Sequence, residues 1–238
     1  LVHGRKLTEA AIASGWEIQR FVASESYAAS VALPSEDIAV LADGLFAKLS
    51  DQPSPEGILA VVRRPRLVLP DTELTGPALL VWQLNDPGNL GALLRIAAWF
   101  GFSGVWLSPG SVDPFGPKAV RGSMGAVFTV PCGVVEAFEG LVERFAGRIA
   151  AAAVPAEGRA SRSDVGAARP TAAALAPKQL HNSGRDLLLL GSESHGLPES
   201  LLTLPGIATV SIASNSEHPP ESLNVAVAAG ILCYAWAH

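Results

Sequence analysis

Residues Asp186–Gly196 read DLLLLGSESHG, residues Ala208–Asn224 read ATVSIASNSEHPPESLN, and the apolar run Val225–Trp236 follows at once. Four consecutive leucines, Leu187–Leu190, suit a strand buried on both faces. Gly191 ends that run, and Gly196 permits a tight loop. Thr209–Ile212 is a second short, partly β-branched run. Ser222 stands where an N-cap would precede a helix starting at Leu223. Buried strands that end in glycine- and serine-rich loops make a cleft at their carboxyl ends, and the reading sets these two side by side. That cleft is the usual ligand position in an open α/β sheet.

Upstream, Ala78–Leu84 (ALLVWQL) is a buried-type strand. Asn85–Gly88 is a turn, because Pro87 restricts φ and Gly88 tolerates positive φ. Asn89 is placed to cap a helix over Leu90–Phe100. Gly104–Leu107 is the next strand, and it leads into the Gly/Pro-rich loop Ser108–Val120. Val134–Phe145 reads as a helix with Val135, Phe138, Leu141, Val142 and Phe145 on one face. Arg148–Val154 reads as a weak, alanine-rich strand. Pro155–Gly184 is an Ala/Pro/Arg/Ser-rich connection that carries Arg159, Arg162 and Arg169, with a helical turn possible at Leu175–Leu180.

Ahead of this lies a small mixed unit. Gly4–Gly15 suits a helix, Ile18–Ala23 a strand, Ser35–Ala42 and Leu45–Leu49 short helices, and Ile58–Arg63 a strand. Proline-punctuated Pro65–Pro77 reads as a linker. The organisation is therefore α/β, with residues 1–66 as a small domain, 67–77 as linker and 78–238 as a larger parallel-sheet domain.

Composition narrows the function. Of 238 residues 49% are apolar, 16% are charged, and the net charge is −5. That balance disfavours a general nucleic-acid binder, which works by neutralising phosphates. A local basic cleft remains compatible with it. Cys132 and Cys233 lack metal-ligand spacing and read as reduced core thiols. His195 and His218 lack the company of a metal site, so no metal is expected. No apolar run is long enough to span a membrane, and a cytoplasmic protein is the default. Neither GxGxxG nor GxxxxGK[ST] occurs, which sets the chain apart from common dinucleotide and P-loop enzymes.

The sequence also carries a resemblance. NDPGNLGALLRIAAWFG (Asn85–Gly101), GSESHGL and ESLNVAVAAGILCYAW, in that order, resemble the three motifs of the SpoU/TrmH (SPOUT) family of RNA 2′-O-ribose methyltransferases. The resemblance implies a parallel sheet with a C-terminal trefoil knot that grips S-adenosylmethionine, and a homodimer. HGRKLTEAAIASG and FAKLSDQPSPEGILAVVRRP resemble the small RNA-gripping domain that precedes the methylase domain in many members. Ribosomal RNA is the expected substrate, ahead of tRNA.

The resemblance assigns roles by position. Asn89, Arg95, Ser222 and Asn224 fall at catalytic or active-site positions. Gly191, Ile212 and Leu223 match positions whose main chain binds adenosine, and Glu193 matches a loop-ordering acid. From spacing alone, Arg95 is a surface arginine whose stem lies along apolar neighbours. An arginine stays protonated, so its catalytic use would be to stabilise a developing alkoxide. Arg63, Arg64 and Arg66 form a basic cluster, readable as a solvated strand end or as phosphate contacts. Lys118 and Arg121 are a second candidate pair for phosphate. The loop from Ile212 to Leu223, with Pro219 and Pro220, is longer than the family pattern. The competing reading is a non-catalytic RNA-binding module with a degenerate cofactor site.

Overall fold

The computed structural model describes residues 1–31, 37–50, 52–65, 76–153, 174–181, 183–192, 194–216, 218 and 220–238. Arg66, Glu193, Pro219, Arg159, Arg162 and Arg169 lie outside the described residues, as do most of the 67–77 and 155–184 segments.

The first unit holds β1 (Val2–His3), α1 (Arg5–Ala13), β2 (Ile18–Ser24), α2 (Glu25–Ser30), β3 (Ile38–Leu41), α3 (Asp43–Leu49) and β4 (Ile58–Val62). Its four strands run in the order β1-β4-β2-β3, with β2 and β3 parallel and the other pairs antiparallel. Here the expectation of a helix over Ser35–Ala42 fails. Ile38–Leu41 is a strand, paired with Phe21–Ser24, because an open sheet edge gives its β-branched residues ladder partners. Helix α2 was not anticipated. Ser24 caps it by accepting the Tyr27 N–H at 3.2 Å.

The second unit holds β5 (Ala78–Val81), α4 (Pro87–Phe100), β6 (Gly104–Leu107), α5 (Pro117–Gly122), β7 (Cys132–Val134), α6 (Phe138–Arg144), β8 (Ile149–Ala152), β9 (Leu187–Leu190), α7 (Glu199–Leu202), β10 (Ala208–Val210) and α8 (Val225–Ala237). All six strands are parallel, in the order β10-β8-β9-β5-β6-β7. Two expectations are corrected here. β8 lies between β9 and β10, so those strands are not neighbours. Val134 belongs to β7, and the helix begins only at Phe138, because the 132–134 backbone pairs with β6.

Alternation explains why β5 and β9 are apolar throughout. Leu79, Val81, Leu188 and Leu190 face one core, which is roofed by Leu90, Leu93, Leu94 and Ala97 of α4 and by Ala229, Leu232 and Cys233 of α8. Ala78, Leu80, Leu187 and Leu189 face the other core, with Phe138, Leu141 and Val142 of α6 and Leu201 of α7. The first core continues into the small unit through Val2, Ala11 and Ala60. At this junction Trp16 stands edge-on to Phe128 (5.1 Å) and Phe115 (6.0 Å). The two sheets are thus joined by packed side chains as well as by the chain.

From β5 the chain adds β6 and then β7 on one side. It then crosses to β8, fills the gap with β9, and places β10 outermost. The order therefore reverses between β5 and β9, and a crevice opens at their carboxyl ends. No helix among the described residues is long and apolar enough to cross a membrane.

Candidate active site

The crevice is built from the loops after β5 and β9 and from the N-terminal ends of α4 and α8. Pro87 at the first turn of α4 suits a helix start. Its cap is Asp86, not Asn89: the Asp86 carboxylate accepts the Asn89 N–H at 2.8 Å. That hydrogen bond, and secondarily Lys118 at 3.6 Å, hold the Asp86 pKa below the ordinary carboxylate value. Asn89 therefore sits within the first helical turn, with its side chain free of the capping role.

α8 is capped two residues later than the sequence suggested. Asn224, not Ser222, is the N-cap, and its Oδ1 accepts N–H groups from Ala226 (2.9 Å) and Val227 (3.3 Å). An asparagine whose oxygen is taken in this way can only donate through its amide nitrogen. It does so to Oδ1 of Asn89, at 2.9 Å. The two asparagines assigned to the active site, 135 residues apart, thus lock the helix starts together. Ser222 and Leu223 are exposed just before the cap.

Arg95 is exposed on α4. Among the described residues its guanidinium pairs with no carboxylate. It shares a helix face with Trp99, four residues on. Buried Leu93, Leu94 and Ala97 anchor the opposite face.

The position of α4 depends on one glycine. A Cβ at Gly91 would lie 2.5 Å from the Gly122 carbonyl carbon, so α4 and α5 meet backbone to backbone. A second close approach is at the end of β9. A Cβ at Gly191 would lie 2.4 Å from the Gly196 carbonyl carbon. Ser192 and Gly196 exchange backbone hydrogen bonds of 3.2 and 3.0 Å, and Ser192 Oγ accepts the His195 N–H at 3.2 Å. These bonds bring Ser192 and Gly196 together just past the end of β9.

Gly191, Ile212 and Leu223 share a property that matters for a ligand. Their main-chain groups make no backbone hydrogen bond within the described residues. Ile212 and Gly191 are half-buried, and Leu223 is 45% exposed. Main-chain donors and acceptors without a partner among the described residues bond water where they are exposed, and a ligand can take that water's place. They suit a ligand read by main chain, such as an adenosine, and so the residues fit the expected cofactor.

Sequence reasoning missed three contributors. Asp86 looked like part of a turn. Gln83 adopts φ of +43° at the end of β5, a conformation uncommon outside glycine; its N–H donates to buried Ser108 Oγ at 2.8 Å. Nothing in the residue type signals that conformation. Gly91, inside a helix, signalled close packing and was passed over.

The predicted RNA contacts are placed as follows. Arg63 and Arg64 are exposed just past β4, Lys118 is exposed on α5, and Arg121 is half-buried in its last turn. Arg63 pairs with Glu17 at 2.8 Å and Arg64 with Asp113 at 2.8 Å. The Arg64 guanidinium also lies over the Phe115 ring, at 5.5 Å. Neither the cluster with Arg66 nor the loop acid Glu193 can be placed.

Comparison with known proteins accords with this geometry. Residues 77–234 match the family model described as the SpoU rRNA Methylase family. An uncharacterized tRNA/rRNA methyltransferase of Synechocystis is 30% identical over 80% of this chain and 63% of its own length. The 23S rRNA (guanosine(2553)-2′-O)-methyltransferase of Bacillus subtilis is 27% identical over 98% of this chain and 86% of its own. The chain spans under two thirds of the Synechocystis relative and 21% of the mouse mitochondrial rRNA methyltransferase 3. Among solved structures, a TrmH-family RNA methyltransferase of Porphyromonas gingivalis superposes with a TM-score of 0.74. Its identity is 28%, over 99% of this chain and 88% of that one. Matched over more than half its length, the chain belongs to the SpoU rRNA methylase family.

Proposed function

We propose that the protein transfers a methyl group from S-adenosylmethionine to a ribose 2′-hydroxyl of RNA, with ribosomal RNA as the substrate class. The observation that carries this reading is the Asn89–Asn224 bond, which gathers the starts of α4 and α8 at the sheet's switch point. Family membership supports it, as does the name of the Bacillus subtilis relative, a 23S rRNA 2′-O-methyltransferase. A solved structure at 26% identity is itself that of an RNA 2′-O ribose methyltransferase. A fold neighbour, AviRb of Streptomyces viridochromogenes, holds AdoMet in its crystal structure.

In this reading the main chain of Gly191, Ile212 and Leu223 holds the adenosine part. When bound, the cofactor supplies a methyl group on a positively charged sulfur. Asn89 and Asn224 fix the crevice between the helix starts, so the ribose oxygen is held in line, and positioning alone removes much of the barrier. Arg95 presents a permanent positive charge that stabilises the oxygen as its proton leaves. It donates hydrogen bonds and does not take the proton, which passes to water or an RNA phosphate. Residues 1–66 form the RNA-gripping domain, 67–77 the linker and 78–238 the methyltransferase domain.

Two finer features belong to the same reading. The C-terminal segment is a trefoil knot, an arrangement supported by the insertion of β9 between β5 and β8. The protein acts as a homodimer through α4 and α8. Trp99 (85% exposed), Val227, Ile231 and Tyr234 leave apolar surface on these two packed helices, and such a surface marks an interface.

The test is transfer of labelled methyl from S-adenosylmethionine to separated, unmodified ribosomal and transfer RNA, followed by nucleoside digestion. A labelled 2′-O-methyl nucleoside in the ribosomal fraction is the expected result. No label in either fraction, with RNA binding retained, would replace this reading with a non-catalytic binding module.

A further inference from the structure

Each cation described at the end of β4 is held by a carboxylate. Arg63 Nε lies 2.8 Å from Glu17, and Arg64 Nη2 lies 2.8 Å from Asp113. Both pairs have fixed settings. The Arg63 N–H donates to the Glu17 carbonyl at 2.9 Å, so the two residues are ladder neighbours before their side chains meet. Asp113 accepts the Phe115 N–H at 2.9 Å, and the Phe115 ring lies beneath the Arg64 guanidinium. In a third pair, Lys118 lies 3.6 Å from Asp86, the cap of α4. Cations on the small unit, at the junction and beside the start of the active-site helix are thus each paired with an acid.

All of these side chains are half exposed or more, apart from a somewhat better covered Asp86 and Asp113. Exposed pairs of this kind are weak, so a phosphate can displace the carboxylate at little cost. They are nonetheless strong enough to matter for RNA in general. An RNA that offers only backbone phosphates must pull each arginine away from its acid. An RNA whose shape delivers several phosphates and a base at once recovers that cost. We infer that Glu17 and Asp113 are specificity determinants: their carboxylates occupy the phosphate-binding arginines and suppress binding of RNA that is not the substrate. This inference rests on the RNA-methylating reading above.

The step is an exchange of non-covalent partners. The phosphate takes the guanidinium, and the released carboxylate is hydrated. Phosphates already dominate protein–RNA affinity and carry no sequence information. Masking the arginines therefore lowers indiscriminate affinity without touching contacts that read the RNA.

The test uses Glu17→Gln, Asp113→Asn and the double variant of the full chain. Each keeps one acceptor oxygen, enough for the Phe115 N–H, and turns an uncharged NH2 in place of a carboxylate oxygen toward the guanidinium. Binding is measured against oligouridylate and against an unmodified ribosomal RNA transcript over a range of salt. The expected result is about a 2- to 5-fold gain in oligouridylate affinity per substitution, and about 10-fold for the double variant, the range that an exposed ion pair allows. Affinity for the ribosomal transcript rises less, so discrimination falls. Salt dependence becomes steeper as freed arginines engage phosphates. S-adenosylmethionine affinity stays unchanged.

Arg64→Gln separates masking from loosening of the junction. If Asp113→Asn acts by freeing Arg64, Arg64→Gln lowers oligouridylate affinity and cancels the gain in the double Arg64→Gln/Asp113→Asn chain. If Arg64→Gln alone raises affinity, the junction is responsible and the inference is overturned. Unchanged or weaker oligouridylate binding in the charge variants, with wild-type methyl transfer intact, also overturns it and leaves the proposed function standing. Failure of the wild type to bind any RNA removes both.

Discussion

Asn224 donates its amide N–H to the side-chain oxygen of Asn89 at 2.9 Å while its own oxygen caps α8. One side chain therefore does two separable things. Asn224→Asp retains a capping acceptor but cannot donate to Asn89, and it places a second acceptor against Oδ1. Stability should stay within about 1 kcal/mol of wild type, since an acid is a good cap, while methyl transfer falls at least tenfold. Asn224→Ala should cost about 1 kcal/mol in addition, from the lost cap. Thermal melts beside single-turnover transfer separate the two effects. Equal activity in Asn224→Asp would remove the bond from the mechanism.

Arg95 is exposed and anchors no core contact. Arg95→Ala should leave melting temperature and S-adenosylmethionine affinity nearly unchanged and reduce methyl transfer by at least 100-fold, the loss typical of a charge-stabilising donor. Arg95→Lys should recover part of that rate. Calorimetric cofactor titration beside the transfer assay checks both halves, and a variant as active as wild type would reassign Arg95 as a surface residue.

Gly91 and Gly191 should tolerate no side chain. In each case an added Cβ meets backbone at 2.5 Å or less, and backbone cannot rotate away. Overpacking of this severity costs about 3 kcal/mol. Gly91→Ala should lower stability and activity together by pushing α4 off α5. Gly191→Ala should also weaken cofactor binding, because the loop it distorts is the proposed adenosine cradle. Denaturant unfolding and cofactor titration distinguish them.

The apolar surface of α4 and α8 should be covered by a second copy. Trp99→Glu with Val227→Glu is expected to convert a dimer to a monomer in light scattering, because it buries charge at the interface. Both residues are well exposed in the single chain, at 85% and 52%, so the fold itself should survive. A monomeric wild type would defeat the prediction.

Burial pushes the thiols of Cys132 and Cys233 up to about 12, from an ordinary value near 9.0. A group whose pKa is raised by folding contributes stability that is fully present below its unfolded value and is lost as pH climbs toward the folded one. Stability should therefore be insensitive to these groups below about pH 8.5 and should decline between there and pH 12. Thiol reagents should leave both cysteines unmodified in the native protein at pH 8 and label both in denaturant. Rapid native labelling would contradict the packing of α8 against α4.

Sequence by itself determined much of the second unit. Leu187–Leu190, Ala78–Val81 and Gly104–Leu107 are apolar at every position, and runs this short between turn residues suit a strand covered on both faces. Three ordered motifs carried the family, and with it Asn89, Arg95 and Asn224. Tertiary structure decided what depends on partners far along the chain. Which residue caps each helix was set by where the chain arrives: Asp86 and Asn224 displaced Asn89 and Ser222 from that role. Ile38–Leu41 became a strand because β2 offers it an edge. The placement of β8 between β9 and β10 is a matter of crossover topology, on which local patterning is silent. The pairing of Arg63 with Glu17 likewise follows from how β2 and β4 align, and that of Arg64 with Asp113 from how the two units meet. A cation's partner is fixed in space and leaves no trace in the spacing of residues.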